Sequence, residues 1–139
     1  MTGRPIVPGD AEGDALVTSV PLSFWGGFDF ATGQIIDRHH PLHGVCASGR
    51  VLVVPFSKGS STTTAVLLEA IRAGTAPAAM ITTAADPFFA LASIVADVMY
   101  SRSFPVVSIA PRDAAQLATG MRLAIERSGR IRHIHGETR

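Results

Sequence analysis

The chain has 139 residues, which fits one domain and leaves too little for two independent cores. Hydrophobic residues make up 47% and charged residues 17%, with 12 Lys and Arg against 11 Asp and Glu. This is too apolar for a disordered segment, and a net charge of +1 gives no electrostatic ground for nucleic acid or an anionic membrane as partner. Either the core is unusually complete for so short a chain, or another subunit covers part of its apolar surface.

Cys46 is the sole cysteine, so no internal disulfide forms, and one thiolate is too few to hold an iron–sulfur cluster. No metal site is expected in this chain. No apolar run has the length of a membrane span. The N-terminal stretch continues into Pro8-Gly9-Asp10-Ala11-Glu12, which is no signal-peptide core. The expected location is cytoplasmic.

In chain order, residues 1–13 are polar and rich in Gly and Pro and read as a flexible lead-in, with a single domain over 14–139. Residues 15–20 are a short β-prone run. Trp25 to Asp29 reads as a turn carrying aromatics, 33–37 as a short strand, and 38–44 as a loop punctuated by Pro41 and Gly44. Residues 51–54, Val-Leu-Val-Val, read as a strand buried on both faces. Helical spacing follows over 61–73, with Val66, Leu67, Ala70 and Ile71 on one face and Gly74 just past the end. Residues 78–81 form the next buried strand. Asp86-Pro87 is a helix start, Asp as cap and Pro in the first turn. Phe88, Leu91, Val95 and Val98 carry that helix to about Tyr100. Residues 105–109 are a third buried strand. Residues 113–117 read as one helical turn. Residues 121–126 and 130–134, separated by Ser128-Gly129, read as a hairpin, with a helix over 113–127 as the competing assignment.

The central region is therefore β-α-β-α-β, a parallel sheet with helices packed on it. The N-terminal strands and the hairpin are expected to form a second β layer, giving an α/β fold. The loop Phe56-Ser57-Lys58-Gly59-Ser60-Ser61-Thr62 lies at the C-terminal end of a buried strand and opens a helix, where open α/β sheets bind ligands. Unsatisfied N–H groups at a helix start favour an anion. Lys58 adds a positive charge, and the hydroxyl residues add donors. Ser57 stands where a Walker loop needs glycine, so this is not that motif. N-capping by Ser60 or Ser61 with a solvated Lys58 is the plain structural reading of the same residues.

Six stretches, taken together, resemble the small subunit, or swivel domain, of aconitase X-type dehydratases. They are Asp37-Arg38-His39-His40-Pro41-Leu42-His43-Gly44, Gly49-Arg50-Val51-Leu52-Val53-Val54-Pro55, Lys58-Gly59-Ser60-Ser61, Pro77-Ala78-Ala79-Met80-Ile81, Ala92-Ser93-Ile94-Val95-Ala96 and Pro105-Val106-Val107. The resemblance runs from about residue 15 to 134. It implies the swivelling β/β/α domain of the aconitase superfamily. It also implies a hydro-lyase of two subunits, with the large subunit carrying an iron–sulfur or iron centre and the small one inactive alone. The implied substrate is a small anionic hydroxy acid, cis-3-hydroxy-L-proline or mevalonate 5-phosphate. The resemblance assigns Ser60 as the catalytic base and puts Lys58, Gly59, Ser61, Thr62 and His40 at the substrate. Where the family leads one to expect glycine and serine after the double serine, this chain has Thr62-Thr63-Thr64. That leaves the substrate less defined than the reaction.

Other residues have plainer readings. Pro41 prevents the helical geometry that would bring His39 and His43 together, so this cluster is not expected to bind metal. His40 can brace its loop instead of touching substrate, and Asp37 can close a turn there. Cys46 is expected to be a small buried or half-buried residue, and Asp86 a helix cap. Trp25 and Phe28 can belong to the core or to an interface. Arg130, Arg132, His133, His135 and Arg139 form a basic C-terminal edge, expected to be solvated or paired with the large subunit. Two alternative functions remain open. One is a non-catalytic swivel module that binds a small anion at the Lys58–Thr62 loop. The other is a structural or regulatory subunit in which that loop only caps a helix.

Overall fold

The computed structural model describes residues 1–57, 62–84 and 86–134. Their elements are β1 (Arg4–Val7), β2 (Ala11–Val17), β3 (Phe28–Asp29), β4 (Gln34–Ile35), β5 (Val51–Val53), α1 (Thr62–Ala73), β6 (Ala79–Thr82), α2 (Pro87–Tyr100), β7 (Val106–Ser108), α3 (Pro111–Ala114), β8 (Arg122–Ile125) and β9 (Ile131–Ile134). The short apolar runs of β5 and β6 are buried on both faces, as parallel strands between two layers must be.

Strands β2, β5, β6 and β7 are parallel, with Leu52 opposite Met80 and Ile81 opposite Val107. The two β-α-β crossovers step the same way across the sheet. Right-handed connections then put α1 and α2 on one face, where they pack on each other. The full order is β1-β7-β6-β5-β2-β8-β9, with β1, β8 and β9 joined antiparallel. Strand β2 links the two halves: Ala11 to Asp14 pair with β8, and Ala15 to Val17 pair with β5. At Gly13, in the middle of that strand, a Cβ would lie 2.8 Å from the Gly49 carbonyl oxygen, so the close approach excludes a side chain.

Alternation along the strands divides the core in two. Leu52, Met80 and Val106 point toward Leu67, Ile71 and Phe89 on the helices. Val51, Val53, Ile81 and Val107 point the other way, toward Leu123, Ile125 and Ile131 on the hairpin. The α/β class, the parallel β-α-β-α-β centre and the C-terminal hairpin expected from the sequence are all present. Residues 122–125 are extended, not helical.

Three local expectations need correction. Residues 1–13, read as a lead-in, contain β1 and the start of β2. Polar alternation there reflects strands with one wet face, β1 at the edge of the sheet and β2 inside it. The second β layer does not take all the N-terminal strands. β3 and β4 form their own two-stranded sheet, and Phe28 and Ile35 join the core on the helix side. The short helical turn α3 starts at Pro111, two residues earlier than read, because proline suits a first turn. Helix α2 runs to Tyr100 as the spacing of Phe88, Leu91, Val95 and Val98 indicates, and its buried face is Phe89, Ala90, Ala92, Ser93 and Ala96.

The surface ion pairs are exposed. Arg72 lies 2.8 Å from Glu69, and its hydrogen bond lowers the Glu69 carboxyl below the ordinary value. A depressed carboxyl contributes stability above its unfolded pKa and loses it as pH falls. For a solvated pair the amount is small.

Candidate functional site

The C-terminal ends of the parallel strands lie together at one end of the sheet. β5 leaves the sheet through Val54, Pro55 and Phe56. The Pro55 carbonyl accepts from Thr83 N at 3.3 Å and Ala84 N at 3.1 Å, which ties this exit to the end of β6. Ser57 then pairs in parallel with Leu22. Lys58, Gly59, Ser60 and Ser61 lie outside the described residues, and the chain resumes at Thr62, the first residue of α1.

Both flanks of residues 58–61 are fastened to the first turn of α2. Ser57 N donates to Asp86 Oδ2 at 2.5 Å. The other oxygen of Asp86 accepts from Phe88 N at 3.0 Å and Phe89 N at 3.3 Å, the cap read from Asp86-Pro87. On the far flank, the Thr64 hydroxyl donates to the Phe88 carbonyl at 3.2 Å. Thr63 and Thr64 are buried. Their methyl groups therefore belong to the contact between α1 and its neighbours, and only Thr62 of the threonine run is exposed. The Ser57 hydroxyl is buried without a hydrogen-bond partner. A buried polar atom left unpaired costs free energy and marks the point for explanation.

His40 is 5% exposed and acts on this site through the chain before it. Its Nδ1 accepts from Leu42 N at 3.0 Å, so the Nε2 proton donates to the Val20 carbonyl at 3.2 Å. Val20 lies two residues before Leu22, the partner of Ser57. Both ring nitrogens are thus used within the chain, in the bracing role weighed against substrate contact. Asp37 closes the preceding turn by accepting from His39 N at 3.0 Å. His40→Ala leaves the Val20 carbonyl and the Leu42 amide unpartnered at a partly buried position. It is expected to lower the unfolding free energy by about 1–3 kcal/mol, measurable by urea denaturation.

His39 and His43 are exposed and do not converge with His40. Among the described residues, no three His, Cys, Asp or Glu side chains come together as a metal site. Cys46, expected to be buried or half-buried, is exposed beside β4, bridged to Gln34, with Sγ 3.5 Å from the Thr32 carbonyl. The described residues therefore do not fit an iron–sulfur or iron centre. Phe28 is core, its ring 5.4 Å from that of Phe24 and tilted to it by 46°, whereas Trp25 is 68% exposed. On the basic edge, Arg132 pairs with Glu126 at 2.6 Å; His135 and Arg139 lie outside the described residues. A cavity of about 410 Å3, walled by Val17, Val54, Pro55, Thr83, Pro111 and Leu117, opens beside the same strand ends toward α3.

The sequence did not announce the Ser57–Asp86 bond. Asp86 satisfies every rule for a cap, and a contact across 29 positions leaves no local pattern.

The family profile described as the aconitase X swivel domain matches residues 1–133. The chain is 44% identical over 109 residues to cis-3-hydroxy-L-proline dehydratase of Pseudomonas aeruginosa, covering 78% of this chain and 19% of that protein. It is 43% identical over 95 residues to the phosphomevalonate dehydratase small subunit of Methanothermobacter thermautotrophicus, covering 68% of this chain and 72% of that one. The crystal structure of Thermococcus kodakaraensis aconitase X in its holo-form superposes with a TM-score of 0.86 at 33% identity, covering 96% of this chain and 97% of the matched one. The chain spans about a fifth of the length of the cis-3-hydroxy-L-proline dehydratases it matches. Among the described residues, no helix is long and apolar enough to cross a membrane.

Proposed function

Because the chain belongs to the aconitase X swivel-domain family, we propose that it is the small subunit of a two-subunit dehydratase and supplies the serine loop that removes a proton from a hydroxy acid. The observation that carries this reading is the double fastening of the segment between Ser57 and Thr64 to the first turn of α2. A catalytic loop must be held within a fraction of an ångström to act, and this one has a fixed point on each side.

In this reading Ser60 is the base. A free serine hydroxyl is too weak an acid to serve unassisted. The N–H groups and dipole at the start of α1, with the Lys58 ammonium, favour its alkoxide, and exclusion of water by a partner strengthens both. Ser60 takes the proton from the carbon next to the substrate carboxylate. The electron pair of that C–H bond forms the double bond, the C–O pair leaves with the oxygen as hydroxide, and return of the proton from Ser60 releases it as water. Lys58, Gly59, Ser61 and Thr62 hold the anionic group, with His40 setting the neighbouring backbone. The substrate is cis-3-hydroxy-L-proline or mevalonate 5-phosphate. The iron–sulfur or iron centre belongs to the large subunit; this chain has one cysteine. The complex is a cytoplasmic heterodimer.

The test is to co-express the chain with the large aconitase X-type chain of the same organism and assay both substrates. Turnover of one substrate by the pair, and by neither chain alone, is expected. Turnover by the purified small chain alone would overturn the two-subunit reading. A folded chain that binds inorganic phosphate and yields no turnover with the large chain would assign it instead as a non-catalytic anion-binding module.

A further inference from the structure

Helix α2 is built inside out relative to an ordinary surface helix. Toward its own sheet and α1 it presents mainly small residues, Ala90, Ala92, Ser93 and Ala96, with one large residue, Phe89. Ser93 satisfies itself there, donating to the Phe104 carbonyl and accepting from Phe104 N. Away from the domain it presents Leu91, Ile94 and Val98, which are 47%, 52% and 81% exposed, with Met99 beside them. These positions lie at i, i+3 and i+7, so they form one stripe. Pro87 begins that stripe one turn earlier, and it spans about 17 Å of helix. Asp97 is the only charged residue of the helix. A helix apolar all round belongs in the interior of something larger.

The stripe begins at the candidate site. Pro87 follows Asp86, whose carboxylate holds Ser57, and Phe56 on the other side of that bond is itself exposed. A polypeptide that closes over the serine loop therefore reaches the first turn of α2. Among the relatives, further chain is present in covalent form. The chain matches only 19% of the Pseudomonas dehydratase, so about four-fifths of that protein lies outside the matched domain. The small-subunit relatives match along most of their own length. The same domain thus occurs fused and separate. Where it is separate, a non-covalent surface has to replace the covalent link. Resting on the small-subunit reading above, we propose that the outer face of α2, the Leu91–Ile94–Val98 stripe, is the docking surface for the large subunit. Its counterpart there is an aliphatic groove poor in charge.

The experiment measures binding of the large aconitase X-type chain to the unmutated chain and to Ile94→Glu, Val98→Glu and the double variant. Glu12→Ala, an exposed position on β2, serves as control. The substituted positions are solvent-exposed, so thermal melting of each variant alone stays near that of the parent. Each glutamate is expected to raise Kd by at least about 30-fold, the scale of a hot-spot residue, and the control to change it by less than threefold. If the unmutated chain does not bind the large chain at all, the subunit reading falls, and this one with it. If it binds and the variants bind equally well, only the docking face is wrong. If the chain alone sediments as a dimer that Val98→Glu dissociates, while affinity for the large chain is unchanged, a second copy covers the stripe and the proposal is overturned.

Discussion

Ser60→Ala in the reconstituted two-chain enzyme is expected to lower kcat by about 10²- to 10⁴-fold, the range over which a positioned base contributes. KM should change little, because the alanine removes the proton acceptor and leaves the anion-binding groups in place. Lys58→Ala should divide the other way. It removes a charge that meets the substrate in both ground and transition states, so KM rises more than kcat falls. The two variants together separate a catalytic loop from a helix cap. If the serines only cap α1, Ser60→Ala costs about 1 kcal/mol of stability and leaves turnover near normal. Near-normal kcat with an unchanged substrate preference would remove Ser60 from the chemistry.

Most of the scaffold was readable because two periodicities dominate it. Val51-Leu52-Val53 and Ala79-Met80-Ile81 are apolar at every position, which only a strand covered on both sides requires. Asp86-Pro87 and Gly74 fix helix ends by backbone chemistry that does not depend on the rest of the fold. What was misread depended on tertiary context. Residues 4–7 lie in a stretch, 1–13, whose Gly, Pro and polar residues read as a lead-in, and pairing with β7 makes them a strand. The spacing of Leu91, Val95 and Val98 gave the right element and left its buried face open, because large apolar residues stand on both sides of this helix. Ala92, Ser93 and Ala96 face inward because α1 and α2 lie close together, and small side chains permit that approach. For the candidate site, the segment from Phe56 to Thr62 was legible as a strand-to-helix loop, and the family resemblance supplied its roles. The fastening points at Asp86, Thr64 and His40 were not, since each joins residues 20 to 29 positions apart.

Asp86 permits the sharpest test of that fastening, because its two oxygens do different work. One caps α2 and the other holds Ser57 N. Asp86→Ala removes both. The cap is worth about 1 kcal/mol and a hydrogen bond to a charged acceptor about 1.5–3 kcal/mol, so the variant is expected to lose about 2–4 kcal/mol in denaturant unfolding. Asp86→Ser restores an oxygen at the cap, where serine serves as well as aspartate. With one short side chain it cannot also reach the Ser57 amide. Its stability should therefore lie between those of the alanine variant and the parent. Turnover should not follow stability. If the carboxylate positions the serine loop, both variants lose kcat to a similar extent, by about 10-fold or more, since a misplacement of about 1 Å at a reacting group costs up to 10²-fold. If Asp86 matters only as a cap, kcat in the complex rises from alanine to serine in step with the melting temperature.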